Sequence, residues 1–151
     1  MKKVIYMLAT VIMVACNASP QENQSQSNLE ESSKDALFNE VMAIHDEVMP
    51  EMGRIFRLQK ALKQVIDSLE TQKVSASISV DSLKNIQADL KEADDAMMNW
   101  MRSNDFQFEN MEEEEIMQEL ASEKEKIIVV KDKMLNSIEQ AEKVLQKFEQ
   151  P

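Results

Sequence analysis

The sequence predicts an all-α protein: an elongated antiparallel three-helix bundle, coiled-coil-like in its core, with a disordered N-terminal tether. Three observations carry that expectation. The 151 residues include one Gly, three Pro and 5% aromatic side chains, a composition that suits helices far better than a β-sandwich or a doubly wound sheet. Beyond residue 33, apolar residues recur at intervals of three and four through three stretches. Short polar interruptions separate those stretches, and connections of that length favour antiparallel neighbours. At this length a single domain is expected.

The first element is an address. Lys2 and Lys3 precede an uncharged apolar run at residues 4–14, which matches a secretory signal. It is shorter than the roughly 20 apolar residues that cross a bilayer. Met13, Val14, Ala15 and Cys16 then follow in the manner of the bacterial lipobox, where a small residue precedes a cysteine that receives diacylglycerol before cleavage on its N-terminal side. Met13 stands where that motif usually has Leu. The expected organisation is a lipoprotein signal peptide over residues 1–15, a lipidated Cys16 with a flexible tether over residues 16–33, and a helical bundle domain over residues 34–151.

Lipidation turns the one cysteine into a thioether, which removes disulfides and thiol nucleophiles. Each buried CH₂ contributes about 0.8 kcal/mol, so two or three acyl chains, palmitate among them, make a lasting membrane anchor. The charge works the other way. With 28 acids against 17 bases the chain carries −11, and loss of Lys2 and Lys3 with the signal leaves −13. Such a chain repels phosphate backbones, so nucleic acid is excluded as a partner, and anionic lipid does not attract it. The acyl group holds the protein at the membrane while its body stands in water. Asn17 occupies the place of the Asp that resembles an inner-membrane retention signal, which favours the outer membrane of the cell envelope.

Residues 17–33 are rich in Ser, Gln, Asn and Glu, with Leu29 as the one strong apolar side chain, and bury too little to offset their ordering entropy. As a flexible tether they reach roughly 23 Å. From Ser33 onward the pattern is helical. Val41, Ile44, Val48, Met52, Ile55, Leu58, Leu62, Val65 and Leu69 form the seam of a coiled coil or bundle. Phe38, Met42, His45, Met49 and Phe56 widen that stripe, and a wide stripe asks for more than one partner helix. Pro50 lacks the N–H that would bond the carbonyl of Asp46, and Gly53 follows within a turn, so a kink is expected between Asp46 and Gly53.

The Ser-rich residues 73–79 lack helical periodicity and form the expected first turn, with Ser79 as N-cap and Asp81 suited to the positive end of the next helix. Leu83, Ile86, Leu90, Ala93, Met97 and Trp100 mark that helix, which ends near Ser103. A loop then runs to Asn110, which with Glu113 resembles a capping box, and the acids at 112–115 fill the first turn of the third helix. Ile116, Leu120, Ile127, Val130, Met134, Ile138, Ala141, Leu145 and Phe148 mark the third helix, with a polar gap at residues 122–126. At 1.5 Å per residue the outer helices are roughly 55 to 60 Å long and the middle one roughly 35 Å.

Chemistry has little to work with. Carboxylates suit Ca²⁺, but the successive acids at 112–115 point around the helix and do not converge. The chain carries no EF-hand spacing, phosphate-binding Gly loop, paired-histidine zinc motif or Ser/His/Asp set, and it has one His. A non-enzymatic protein without catalytic residues is expected.

Methionine is the unusual residue. Of the 12, eight lie at Met42, Met49, Met52, Met97, Met98, Met101, Met111 and Met117. Folding the second helix back about Ala76 brings Met52 level with Trp100, and folding the third about Gln107 brings Met117 near Met97, so most of them meet at one end. In one reading they fill irregular space around the kink, with Trp100 closing the core, and neither metal nor cofactor is involved. In another, His45, Met49, Met52, Met97 and Met101 form a soft-metal site for Cu(I) or Ag(I), with Trp100 over the cation. In a third they face a groove for a partner helix.

The segments HDEVMPEMG at residues 45–53, ADDAMMNWM at 93–101 and VKDKMLNSI at 130–138 resemble a group of small bacterial lipoproteins often labelled viral A-type inclusion protein. The resemblance covers most of the chain beyond the signal. It implies a lipid-anchored helical protein and transfers no functional residues. The expectation is thus a membrane-anchored envelope protein that acts on an envelope protein partner, with self-association through its long seams open to it.

Overall fold

The computed structural model of the chain describes residues 22–72, 78–104 and 106–149. The signal-like run, Cys16 and residues 17–21 lie outside the described residues. The fold is an all-α bundle of three antiparallel rods. Helix α1 (Glu22–Val48), a 3₁₀ turn (Met49–Glu51) and α2 (Met52–Gln72) form the first rod; α3 (Val80–Ser103) and α4 (Glu113–Glu149) form the others.

Pro50 breaks the first rod where expected. Lacking an N–H, it takes the first turn of the 3₁₀ segment rather than an α-helical interior position. The consequence is a change of partner. Above the kink α1 packs on α4 and stands off from α3, whereas below it α2 packs most closely on α3. Gly53 contributes nothing special: its φ is negative, and a Cβ there would meet only the Arg57 guanidinium at 3.5 Å.

Helix α1 begins at Glu22, so its backbone takes in residues 22–33 that composition assigns to the tether. That segment contains no Gly or Pro and is rich in Gln and Glu, which tolerate helix, so an adjoining helix can extend into it.

The apolar seam is the core. Val41, Val48, Ile55 and Leu62, spaced by one heptad, are fully buried, as are Leu83, Leu90, Ala93, Met97, Leu120, Ile127, Met134 and Ala141. Burying each large side chain contributes about 1.5 to 3 kcal/mol. Phe56 departs from expectation: it is 68% exposed, on a flank that the rods below the kink leave uncovered.

Ser79 caps α3 as its sequence position implies, its hydroxyl accepting from the Ser82 N–H at 3.2 Å. The start of α4 is displaced from expectation. Its first turn holds Glu113, Glu114 and Glu115, and the capping-box carboxylate is Glu115, accepting from the Glu112 N–H at 3.1 Å. Asn110 instead sits at φ 66° in the preceding turn, a left-handed conformation that Asn tolerates better than most residues.

Pairing between rods fixes the stagger. His45 lies against Trp100, and the Gln87 side-chain amide donates to the Gln59 carbonyl at 3.1 Å. This register lets the last turns of α2 run past the start of α3. There α2 and α4 alone line an apolar groove of about 390 Å³ that includes Val65, Leu69, Leu145 and Phe148. On the other side, Lys124 pairs with Glu40 and Lys131 with Glu47 at 2.6 Å, which sets α1 alongside α4 in parallel.

Candidate functional site

Chemistry-bearing side chains gather at the end of the bundle where α3 turns into α4. The α3 helix delivers Trp100 and Asn104, α4 delivers Glu119 and Glu123, and the connecting loop delivers Phe106 and Phe108. Glu123 is the least expected of them. It occupies a heptad position between Leu120 and Ile127 and is only 3% exposed. One carboxylate oxygen, Oε1, is bonded by Lys126 Nζ.

The other oxygen, Oε2, is buried and makes no hydrogen bond of normal geometry; the same holds for Trp100 Nε1 and Asn104 Nδ2. These N–H groups nevertheless lie near enough to act on the carboxylate. Burial pushes the Glu123 pKa up, while Lys126, Asn104 and Trp100 push it down and prevail, so Glu123 sits below the ordinary Glu value. Its charged form is the one the site holds.

Aromatic rings build the rest. The Trp100 and His45 rings stack with centroids 5.6 Å apart, Phe106 meets Trp100 edge-on at 6.2 Å, and Phe38 and Phe108 meet Phe106 at 5.2 and 6.2 Å. Phe106 reaches this place with φ 47°, a left-handed conformation costly for a bulky residue. The three rings around it hold it there, as an over-determined site can. The loop is pinned on either side, by the Asn104 N–H donating to the Trp100 carbonyl and the Met111 N–H donating to the Phe108 carbonyl, each at 3.2 Å. Between loop and α4 lies a cleft of about 320 Å³, lined by Ser103, Asn104, Phe106, Gln107, Phe108, Met111, Glu119 and Glu123.

The methionines of the first rod and α3 take a register other than the expected one. His45, rather than Met52, stands level with Trp100, a displacement of two helical turns from the folding about Ala76 that the loop's midpoint implies. The stagger of α2 past α3 is the cause. The register brings His45 level with Met101 and Met49 level with Met97, and leaves Met52 about a turn lower. Met97 is fully buried in the hydrocarbon core, Met52 and Met101 pack partly buried against it, and Met49 is 36% exposed. The His45 ring faces Trp100, and its Nδ1 lies 2.9 Å from Asp46 Oδ1. Trp100 therefore presents a face to an imidazole. Among the described residues no group of three or more His, Cys, Asp or Glu is arranged to hold a metal ion, and no helix is long and apolar enough to cross a membrane.

Sequence reasoning missed Glu123, Asn104, Phe106 and Phe108. For Glu123 a signal existed, since the polar gap at 122–126 interrupts a heptad at a position the core requires. The loop phenylalanines carried none, because nothing periodic fixes a loop's direction. Cys16, the expected lipidation residue, lies outside the described residues. Comparison of the chain with family models, curated proteins and solved structures finds no match.

Proposed function

We propose that this protein is a lipid-anchored helical bundle of the cell envelope, bound to the membrane through Cys16 and acting by contact with an envelope protein rather than by catalysis. The observation that carries the reading is the order of segments at the N-terminus: a basic start, an uncharged apolar run, then Ala15 and Cys16. The resemblance to small bacterial lipoproteins points the same way. A bundle with a strongly acidic surface gains nothing from anionic headgroups, so an acyl anchor is the means that fits. Phe56 and Val129, 68% and 63% exposed, are apolar side chains of the kind that partner surfaces cover.

Cells fed an alkyne analogue of palmitate test the anchor. The wild-type chain is expected to take up label and sediment with membranes, and Cys16→Ser to lose both; label retained by Cys16→Ser, or a soluble unacylated wild-type species, overturns it. Crosslinking in intact envelopes then tests contact. A discrete adduct weakened by Phe56→Ser supports that role, and the absence of any adduct in wild type counts against it.

A further inference from the structure

We infer that His45, Met49 and Met101 form a binding site for a soft monovalent metal ion of the Cu(I) class, at the gap where α1 stands off from α3. The imidazole is the fixed donor. Its Nδ1 lies 2.9 Å from Asp46 Oδ1, and because a carboxylate oxygen only accepts, Nδ1 carries the proton and the neutral ring keeps its lone pair on Nε2. No group among the described residues bonds Nε2. Trp100, stacked on the ring with centroids 5.6 Å apart, holds its plane, and the His45 side chain keeps 15% of its surface open to solvent. A ring with one nitrogen tied to a carboxylate and the other unengaged is in the state in which histidine ligates metal.

The register supplies the thioethers. Met49 follows His45 by four residues, one turn along the same face, and Met101 stands across from His45 on α3. Helical side chains lean toward the N-terminus of their own helix, so in this antiparallel pair Met49 leans back toward His45 and Met101 leans toward the level of Met49. Here α1 is held off α3 by the rings between them, so the three donors border a gap rather than a filled seam. Met49 is 36% exposed and Met101 partly buried at the edge of the core, which leaves a way in. Met97 and Met52, which the sequence groups with these three, drop out: the first is fully buried and the second lies about a turn lower. Donor chemistry decides the metal. Thioether sulfur and neutral imidazole suit Cu(I), whereas Ca²⁺ and Mg²⁺ take oxygen ligands. Zn²⁺ lacks the ligand set it prefers, since no three His, Cys, Asp or Glu come together among the described residues. Asp46 beside the ring balances the charge of a monocation held by neutral donors. This inference does not rest on the lipid anchor.

The full chain in neutral detergent, carrying Cys16→Ser so that its thiol does not compete, is titrated with Cu(I) against a chromogenic chelator, and with Ag(I) by Trp100 fluorescence and methionine-methyl NMR. Saturable uptake of one ion per chain is expected. Trp100, stacked on the ligand ring, is expected to lose emission, and the Met49 and Met101 methyl signals to shift while that of the fully buried Met134 stays in place. Met49→Leu and Met101→Leu preserve side-chain volume, and each is expected to weaken binding by about tenfold or more, with Met134→Leu without effect. His45→Phe keeps a ring against Trp100, removes both nitrogens, and is expected to weaken binding as strongly; should it misfold, the leucine variants carry the test. No saturable uptake, Zn(II) bound as tightly as Cu(I), undiminished binding in the folded Met49→Leu, Met101→Leu double variant, or an equal loss in Met134→Leu overturns the proposal.

Discussion

Glu123 sits where the heptad asks for an apolar side chain, and its contribution to stability follows from what surrounds it. Truncation to Ala takes the carboxylate from the buried Trp100 and Asn104 N–H groups, so Glu123→Ala is expected to cost about 1 to 3 kcal/mol in urea unfolding followed by circular dichroism. Because its folded pKa is depressed, that contribution is complete above the unfolded Glu value of about 4.3 and is lost as pH falls through the folded value. The stability gap between wild type and Glu123→Gln is therefore expected to narrow below about pH 4; a gap constant from pH 7 to 3 contradicts the assignment. Gly53 is the opposite case. With a negative φ and room for a Cβ, it spends chain entropy for no structural return, and Gly53→Ala is expected to raise stability by about 0.5 to 1 kcal/mol in the same assay.

At the scale of elements, the 3₁₀ turn at Met49–Glu51 is the feature that orients α1. Three residues wound at 3.0 rather than 3.6 per turn rotate what precedes them by about 60°. Pro50→Ala permits the ordinary helical bond to Asp46, and the resulting unwinding is expected to carry the His45 ring off Trp100. A red shift of Trp100 emission together with loss of near-ultraviolet circular dichroism is the expected outcome; an unchanged spectrum means the tertiary contacts, not the proline, set the kink. The kink also explains why the wide stripe read from Phe38 to Phe56 is only partly buried. Phe38 and His45 join the aromatic cluster, while Met49 and Phe56 emerge beyond the change of partner.

For the whole molecule, charge opposes compaction. Ion pairs link the rods at Arg54 with Glu142, Lys84 with Glu70, Lys133 with Glu92 and the two lysines of α4 with α1, but most are exposed and each contributes about 0 to 1 kcal/mol. Against them stands the self-repulsion of a chain at −11. Screening the repulsion is expected to outweigh screening the pairs, so Tm is expected to rise between low and physiological salt. A fall in Tm over that range means the cross-rod pairs dominate.

The sequence by itself determined the fold class, the seam residues, the kink at Pro50, the Ser79 cap and the end of α3, because each depends on spacing, propensity or a missing N–H within a few residues. The start of α4 moved from Asn110 to Glu112 because two capping-box registers were available among the acids, and only packing of the loop distinguished them. The stagger that placed His45 on Trp100 and Met49 level with Met97 belonged to tertiary structure, as did the burial of Glu123 and the inward turn of Phe106 and Phe108. Periodicity states which face of a helix is apolar and is indifferent to a slide of one heptad along its neighbour. That slide is decided by how large side chains interlock, and here the interlocking of the rings and the direction of the α3–α4 loop built the cleft.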